Sequence, residues 1–189
     1  MVVSLGIFTV VAVIAIGALL KISDANRKAI ILKTSINNLN FALEAMSREM
    51  RFGTKFECRP NPSSLHDAAN GSCPGSGSWA IAFDSSETLP VTGGKRCKLR
   101  YAYWMDYAPG GPSILKKSQE ERCDTNSIGI PGTYFEIISP EVRITDSKIT
   151  LDATSQPRIT FWLEGETGRK LSDVTSFSLQ TTISQRTPL

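Results

Sequence analysis

The residues of this chain whose type and spacing most directly specify chemistry are its four cysteines, Cys58, Cys73, Cys97 and Cys123. None belongs to a C-x-x-C pair, which disfavours zinc, and an even number placed beyond a long apolar run argues for disulfides in an oxidising compartment. Three pairings are open. Closure along the sequence favours Cys58 with Cys73, around RPNPSSLHDAANGS, and Cys97 with Cys123. Closing a loop of about fifteen residues stabilises by roughly 3 kcal/mol in the chain-entropy model. Four buried, reduced thiols are the competing reading. The one histidine, His66, stands beside Asp67 in a polar stretch; a Ser-His-Asp arrangement can be drawn, but a lone loop histidine is ordinarily solvated. Gly93-Gly94-Lys95 lacks the upstream glycine and the following hydroxyl of a phosphate loop. Glu120, Glu121 and Asp124 lack the ligand spacing of a calcium site, and Asn70-Gly71-Ser72 fits a glycosylation sequon but equally a turn. No catalytic residue, metal site or cofactor is expected.

The elements that would position such groups begin with MVVSLGIFTVVAVIAIGALL, which has no charge before Lys21. As a helix rising about 1.5 Å per residue, it matches a bilayer core of about 30 Å. Twelve of its twenty residues are Val, Ile, Leu or Phe, favouring insertion by roughly 4 to 7 kcal/mol. Val2, Leu5, Ile7, Phe8, Val11, Ile14, Ile16, Leu19 and Leu20 are the expected packing residues in lipid or against other helices. A buried core helix would rarely stay apolar all round for so long, and a cleaved signal would show a basic flank and a shorter core.

Past Lys21 the pattern becomes a seam at alternating spacings of four and three: Ala25, Ala29, Leu32, Ile36, Leu39, Leu43, Met46 and Met50. The other faces are polar. A coiled-coil partner, a bundle of like helices or the protein's own domain would each satisfy the seam, and docking on the domain is expected at least from Leu39 to Met50. Gly53 is the expected stop, with Arg48 and Arg51 placed favourably at the negative end of the helix dipole. Three segments follow: a membrane segment (1–22), its amphipathic continuation (23–52) and a globular domain (53–189).

With 189 residues, a formal charge of +3 and 41% apolar residues, the chain can carry one anchor and one domain. No basic block interleaved with aromatics suggests a nucleic-acid groove. In the domain, Trp79 to Phe83, Leu99 to Met105, Ile114 to Lys117, Val142 to Ile144, Ile149 to Leu151, Ile159 to Leu163 and Phe177 to Ile183 repeat with period two and predict strands. PGSG (74–77), GGK (93–95), PGG (109–111), IPG (130–132) and SQP (155–157) mark turns. Asp146-Ser147 and Gly165 to Gly168 read as hairpin connections, and Glu57 to Ser78 as an irregular loop held by cysteines. Trp104 and Trp162 fall opposite the stronger apolar rows, where an exposed aromatic would mark a partner surface and a covered one would pack on the helix stem. The expected class is α+β, one long helix packed by its outer half on an antiparallel sheet.

Orientation carries a conflict. Lys21, Arg27 and Lys28 follow the span, so the positive-inside rule places the domain in the cytoplasm, whereas the cysteines call for an oxidising compartment. A basic leader upstream of Met1 would resolve it. The run MVVSLGIFTVVAVIAIGALL, followed by SDANRKAIILKTSINNLNFALEAMSREMR, resembles the N-terminal helix of type IV pilin-like proteins, particularly minor pilins and the J-type minor pseudopilins of type II secretion. The ending FSLQTTISQR is similar to the last strand of such minor pilins. In that family a basic leader ending in Gly is cut by a prepilin peptidase, and the mature chain opens Phe-Thr-Leu-(Ile/Val)-Glu. Against that pattern Met1 falls just past the glutamate, so the leader, the cleavage site and the glutamate are expected upstream, and the peptidase is a partner only where they exist. The resemblance implies a minor structural subunit, not an enzyme. It would lie in the inner membrane with its domain outside the cytoplasm, and join other pilin or pseudopilin subunits in a filament or its tip. A single-pass anchored binding or sensor protein is the alternative reading; an anchored hydrolase using His66 is a third.

Overall fold

The computed structural model describes residues 2–65, 73, 78–88, 97–106, 113–122, 134–152, 156–168 and 174–186. One helix, α1 (Val2–Arg51), precedes eight strands: β1 (Thr54–Arg59), β2 (Ala80–Thr88), β3 (Lys98–Asp106), β4 (Ile114–Arg122), β5 (Phe135–Glu136), β6 (Val142–Asp152), β7 (Arg158–Thr167) and β8 (Thr175–Ser184). The fold is α+β, a long N-terminal helix and a C-terminal antiparallel β domain of two sheets. One sheet has the order β1-β2-β3-β4-β5 and the other β6-β7-β8, every pairing antiparallel. Among the described residues, an isolated bridge from Ser113 to Ile144 joins them.

Period-two patterning explains the sheets. On β7, Ile159, Phe161 and Leu163 are buried while Arg158, Thr160, Trp162 and Glu164 point away from the core. The core joins the helix to both sheets: Leu39, Met46 and Met50 pack with Trp79, Ile81, Phe83, Tyr103 and Met105 from one sheet and with Ile149, Ile159, Phe161 and Ile183 from the other.

Three features depart from the sequence reading. The segment from Glu57 is not irregular at its start, because Thr54–Arg59 is a strand paired with β2. Glu57 disguises it: its carboxylate is buried, yet it is matched by Arg59 at 3.1 Å and by Arg100 at 3.0 Å, so a charge that reads as loop sits inside a sheet. Asp146-Ser147 is no hairpin but a bulge within β6, where the register with β7 shifts between Ile144 and Asp146. The extra residue turns Ser147 inward, where its hydroxyl accepts a 3.0 Å hydrogen bond from the Trp79 indole. Gly165 likewise lies inside β7, with the ring of Phe177 2.6 Å from where a Cβ would stand; only Gly168, at φ 135°, follows the strand.

The helix exit also has its own cause. The Gly53 amide donates to the Met50 carbonyl at 3.0 Å, and an added Cβ would meet Phe83 Cδ2 at 2.5 Å, so space rather than a left-handed backbone requires glycine. The left-handed residue is Lys55, at φ 55°, where β1 shifts register against β2. The far end of the chain closes this junction. Arg186 N donates to the Arg51 carbonyl at 2.8 Å, satisfying one that the helix end leaves open, and the Gln185 side-chain amide donates to the Gly53 carbonyl just beyond it at 2.6 Å.

Candidate membrane and assembly surface

Among the described residues, the first half of α1 touches no other element of the fold. Its most apolar window has a mean hydropathy of 2.6 and is 0% buried, so the helix is long and apolar enough to cross a membrane. Leu5, Ile7, Phe8, Val11, Ile14, Ile16, Leu19 and Leu20 are each 58–71% exposed, and Val2 opens the helix. The Thr9 hydroxyl donates to the Gly6 carbonyl at 2.8 Å, returning a polar group to the helix where lipid offers no partner.

The seam divides. Ala25 and Ala29 are exposed, Leu32 and Ile36 half-buried, and Leu39, Leu43, Met46 and Met50 buried. The boundary is polar: Ser35, itself buried, shares a 2.5 Å hydrogen bond with Thr167 at the end of β7. Docking involves more than the seam, because Ser35, Ala42 and Glu49 form a further row seven residues apart. Ser35 and Ala42 are small enough to let the helix approach the sheets. Glu49 reaches across to β3 and β4, accepting a hydrogen bond from the Tyr103 hydroxyl and pairing with Lys117 Nζ at 2.5 Å. Lys117 in turn lies 4.8 Å from the centre of the Tyr101 ring. Burial, and then the hydrogen bond to Glu49, push the Tyr103 phenol far above its ordinary value of 10.0.

The seam spacing leaves Glu49 on the polar faces of the helix and gives Ser35 and Ala42 no role. The signal that would have found them is the width of the stripe: a helix on a sheet buries about 100° of its surface, whereas a coiled-coil seam is narrower. Phe41 is the reverse case. It lies on the side of α1 away from the domain, 71% exposed, over a shallow groove lined also by Glu44, Ala45, Arg48 and Glu49.

The chemistry-bearing residues are dispersed. Cys58 on β1 is bonded to Cys73, with Cα atoms 4.9 Å apart. Cys97, just before β3, is also in a disulfide, and Cys123 lies outside the described residues. His66, Asp67, Asn70-Gly71-Ser72, Gly93-Gly94-Lys95, Asp124 and the turn markers at 74–77, 93–95, 109–111 and 130–132 lie outside them as well. Glu120 and Glu121 belong to β4, and among the described residues no group of three or more His, Cys, Asp or Glu side chains is placed to hold a metal.

Trp104 is buried, not exposed. It joins Leu65, Ala80, Ala82 and Ala102 in a second cluster on the far face of the five-stranded sheet, edge-on to Tyr134. The cause is that Leu65, after a short 3-10 turn at Pro62–Ser64, folds back over that face. Trp162 stays at the surface of the three-stranded sheet, half-buried in an open groove with Lys148, Thr150, Thr160 and Gln180. The arrangement as a whole presents one uncovered apolar half-helix and one folded head. No protein-family model, curated protein or solved structure matches this chain.

Proposed function

We propose that this protein is a structural minor subunit of a type IV pilus or of a type II secretion pseudopilus. It is anchored in the cytoplasmic membrane by a single pass, its β domain lies outside the cytoplasm, and it leaves the bilayer sideways into a filament or its tip. The observation that carries the reading is the division of α1. Among the described residues, its apolar half meets no other element of the fold, while its other half is fixed to both sheets. Such a helix can exchange lipid for the apolar helices of neighbours without any rearrangement of the domain, because packing between helices replaces packing against lipid chains. The N-terminal sequence resemblance supplies the kind of assembly.

A photo-reactive residue at Ile14, which faces lipid or neighbours but no part of the domain, tests this in cells of the source organism. The expected result is a ladder of covalent adducts between this chain and other apolar helices when the assembly is made, and lipid adducts alone when it is not. Lipid adducts under both conditions would remove the filament reading. The uncovered start of the seam at Ala25 and Ala29 favours a second reading, an anchored binding or sensor protein that dimerises through its stem. It predicts a single dimer band, retained in detergent and independent of assembly.

A further inference from the structure

The charge of this chain is concentrated in one place. Through residue 34 the charged positions are Lys21, Asp24, Arg27, Lys28 and Lys33, and together they account for the whole formal net charge of +3. The docked half of α1 and the β domain therefore sum to zero. All five lie on the part of the helix that precedes its first buried residue, Ser35. Lys28 is half-buried and the other four are exposed; among the described residues, none of the five forms an ion pair.

Helix geometry ranks them by distance from the end of the apolar run at Leu20. At 1.5 Å per residue, Lys21 sits at the edge of the hydrocarbon, Arg27 and Lys28 stand about 10–12 Å beyond it, and Lys33 about 20 Å. A headgroup layer adds roughly 5–7 Å on each side of the bilayer core, and screening leaves a reach of about 8 Å past it. Lys21, Arg27 and Lys28 fall within that range, helped by long side chains that can bend back toward the interface. Lys33 falls at or beyond its limit. Lys21 and Lys28 are two turns apart on one face, and Arg27 is rotated by about 100° from Lys28, so the three present charge on two sides of the stem. Asp24 lies between Lys21 and Lys28 and offsets one of the charges.

We propose that Lys21, Arg27 and Lys28 form a collar that binds the headgroups of anionic phospholipids in the leaflet facing the β domain. This rests on α1 spanning the membrane, as proposed above. The occupant follows from charge complementarity and from continuity with the apolar run: the charges begin where the run ends, and the phosphates of that leaflet are the anions at that depth. The neutral domain adds no net attraction to the surface. Retention of the subunit in the bilayer before assembly thus depends on the anionic lipid content of that leaflet.

The full chain, purified in detergent with an equimolar mixture of phosphatidylcholine and phosphatidylglycerol, tests the collar by native mass spectrometry of the lipids retained. Phosphatidylglycerol should exceed phosphatidylcholine by roughly tenfold on the wild type, given attraction of this kind at each basic residue near the surface. The combined variant Lys21→Gln, Arg27→Gln, Lys28→Gln should retain the two lipids equally, whereas Lys33→Gln should keep the preference. Equal retention by the wild type, or an unchanged preference in the combined variant, overturns the collar. So does a loss in Lys33→Gln as large as in the combined variant, since bulk charge would then explain the binding. Flotation with vesicles of phosphatidylcholine alone separates the two levels. A wild-type chain that floats but shows no lipid preference refutes only the collar; one that fails to float refutes the membrane span beneath it as well.

Discussion

The two halves of α1 share one continuous helix and one continuous seam, yet they meet opposite fates. From Ser35 onward the seam is covered by both sheets, and the helix exit is tied down by Gln185 and Arg186 from the other end of the chain. Before Ser35 the helix has no buried residue among those described, and ten large apolar side chains from Leu5 to Leu20 are more than half exposed. The lesson is that seam spacing specifies a surface that must be covered but not what covers it. For the outer half the cover lies in the same molecule; for the inner half no described residue supplies it, and in the function proposed above lipid or another helix does.

The sharpest way to break the comparison is to make the same change on both sides of Ser35 and follow unfolding of the detergent-solubilised protein by denaturant. Leu39→Ala opens a cavity in a fully buried site and should cost about 2–5 kcal/mol, while Ile14→Ala should leave the domain within about 0.5 kcal/mol of wild type. Equal losses would mean that the apolar half is packed against the domain after all. Gly53→Ala tests the junction where the docked half ends. Its Cβ would stand 2.5 Å from Phe83 Cδ2, and an overpacking cost of about 1–3 kcal/mol is expected in the same titration.

The Glu49 contact gives a smaller effect with a pH signature. Because the Tyr103 phenol is raised in the folded state, the native protein keeps a proton that the unfolded chain loses near pH 10. Its contribution is therefore fully present below pH 10 and is lost progressively as pH rises above that value. The Lys116 ammonium, raised by its 2.6 Å hydrogen bond to Asp106, acts in the same direction above its ordinary 10.5. Tyr103→Phe should cost about 1 kcal/mol at neutral pH and flatten the alkaline loss, both read from denaturation midpoints across pH. An unchanged alkaline slope would remove Tyr103 from its cause. The smallest expected change is a gain. Lys55→Gly relieves a left-handed backbone at φ 55° and gives up only a long 3.8 Å ion pair from an exposed lysine to Asp84, whose buried carboxylate keeps Arg100 at 3.0 Å, so the stability should rise by roughly 0.5–1 kcal/mol.

Much of the fold is legible in the residue pattern because period-two and heptad repeats report which side of an element is apolar, and that is a local property. The strands around Phe83, Tyr103, Ile149, Phe161 and Ile183 could be placed on it, as could the helix. Three misreadings share a cause. Glu57, Ser147 and Trp104 look like loop, turn and surface residues, and each is made otherwise by something distant: Arg100, the Trp79 indole and Leu65. A buried carboxylate or hydroxyl is admissible only when its partner is supplied, and that partner lies 43 residues away for Glu57 and 68 for Ser147.

What the sequence determined by itself is the membrane-length apolar run, the seam that follows it, the concentration of net charge along the first part of that helix continuation and the alternation that makes the domain β. These are sums and periods over neighbouring residues, and they hold however the chain folds. Only the tertiary structure decided where the seam stops being covered, that Ser35, Ala42 and Glu49 widen it into a sheet-docking stripe, and that Gly53 is required by Phe83. Those facts depend on which distant surfaces the chain brings within van der Waals or hydrogen-bonding distance, and no local period encodes them.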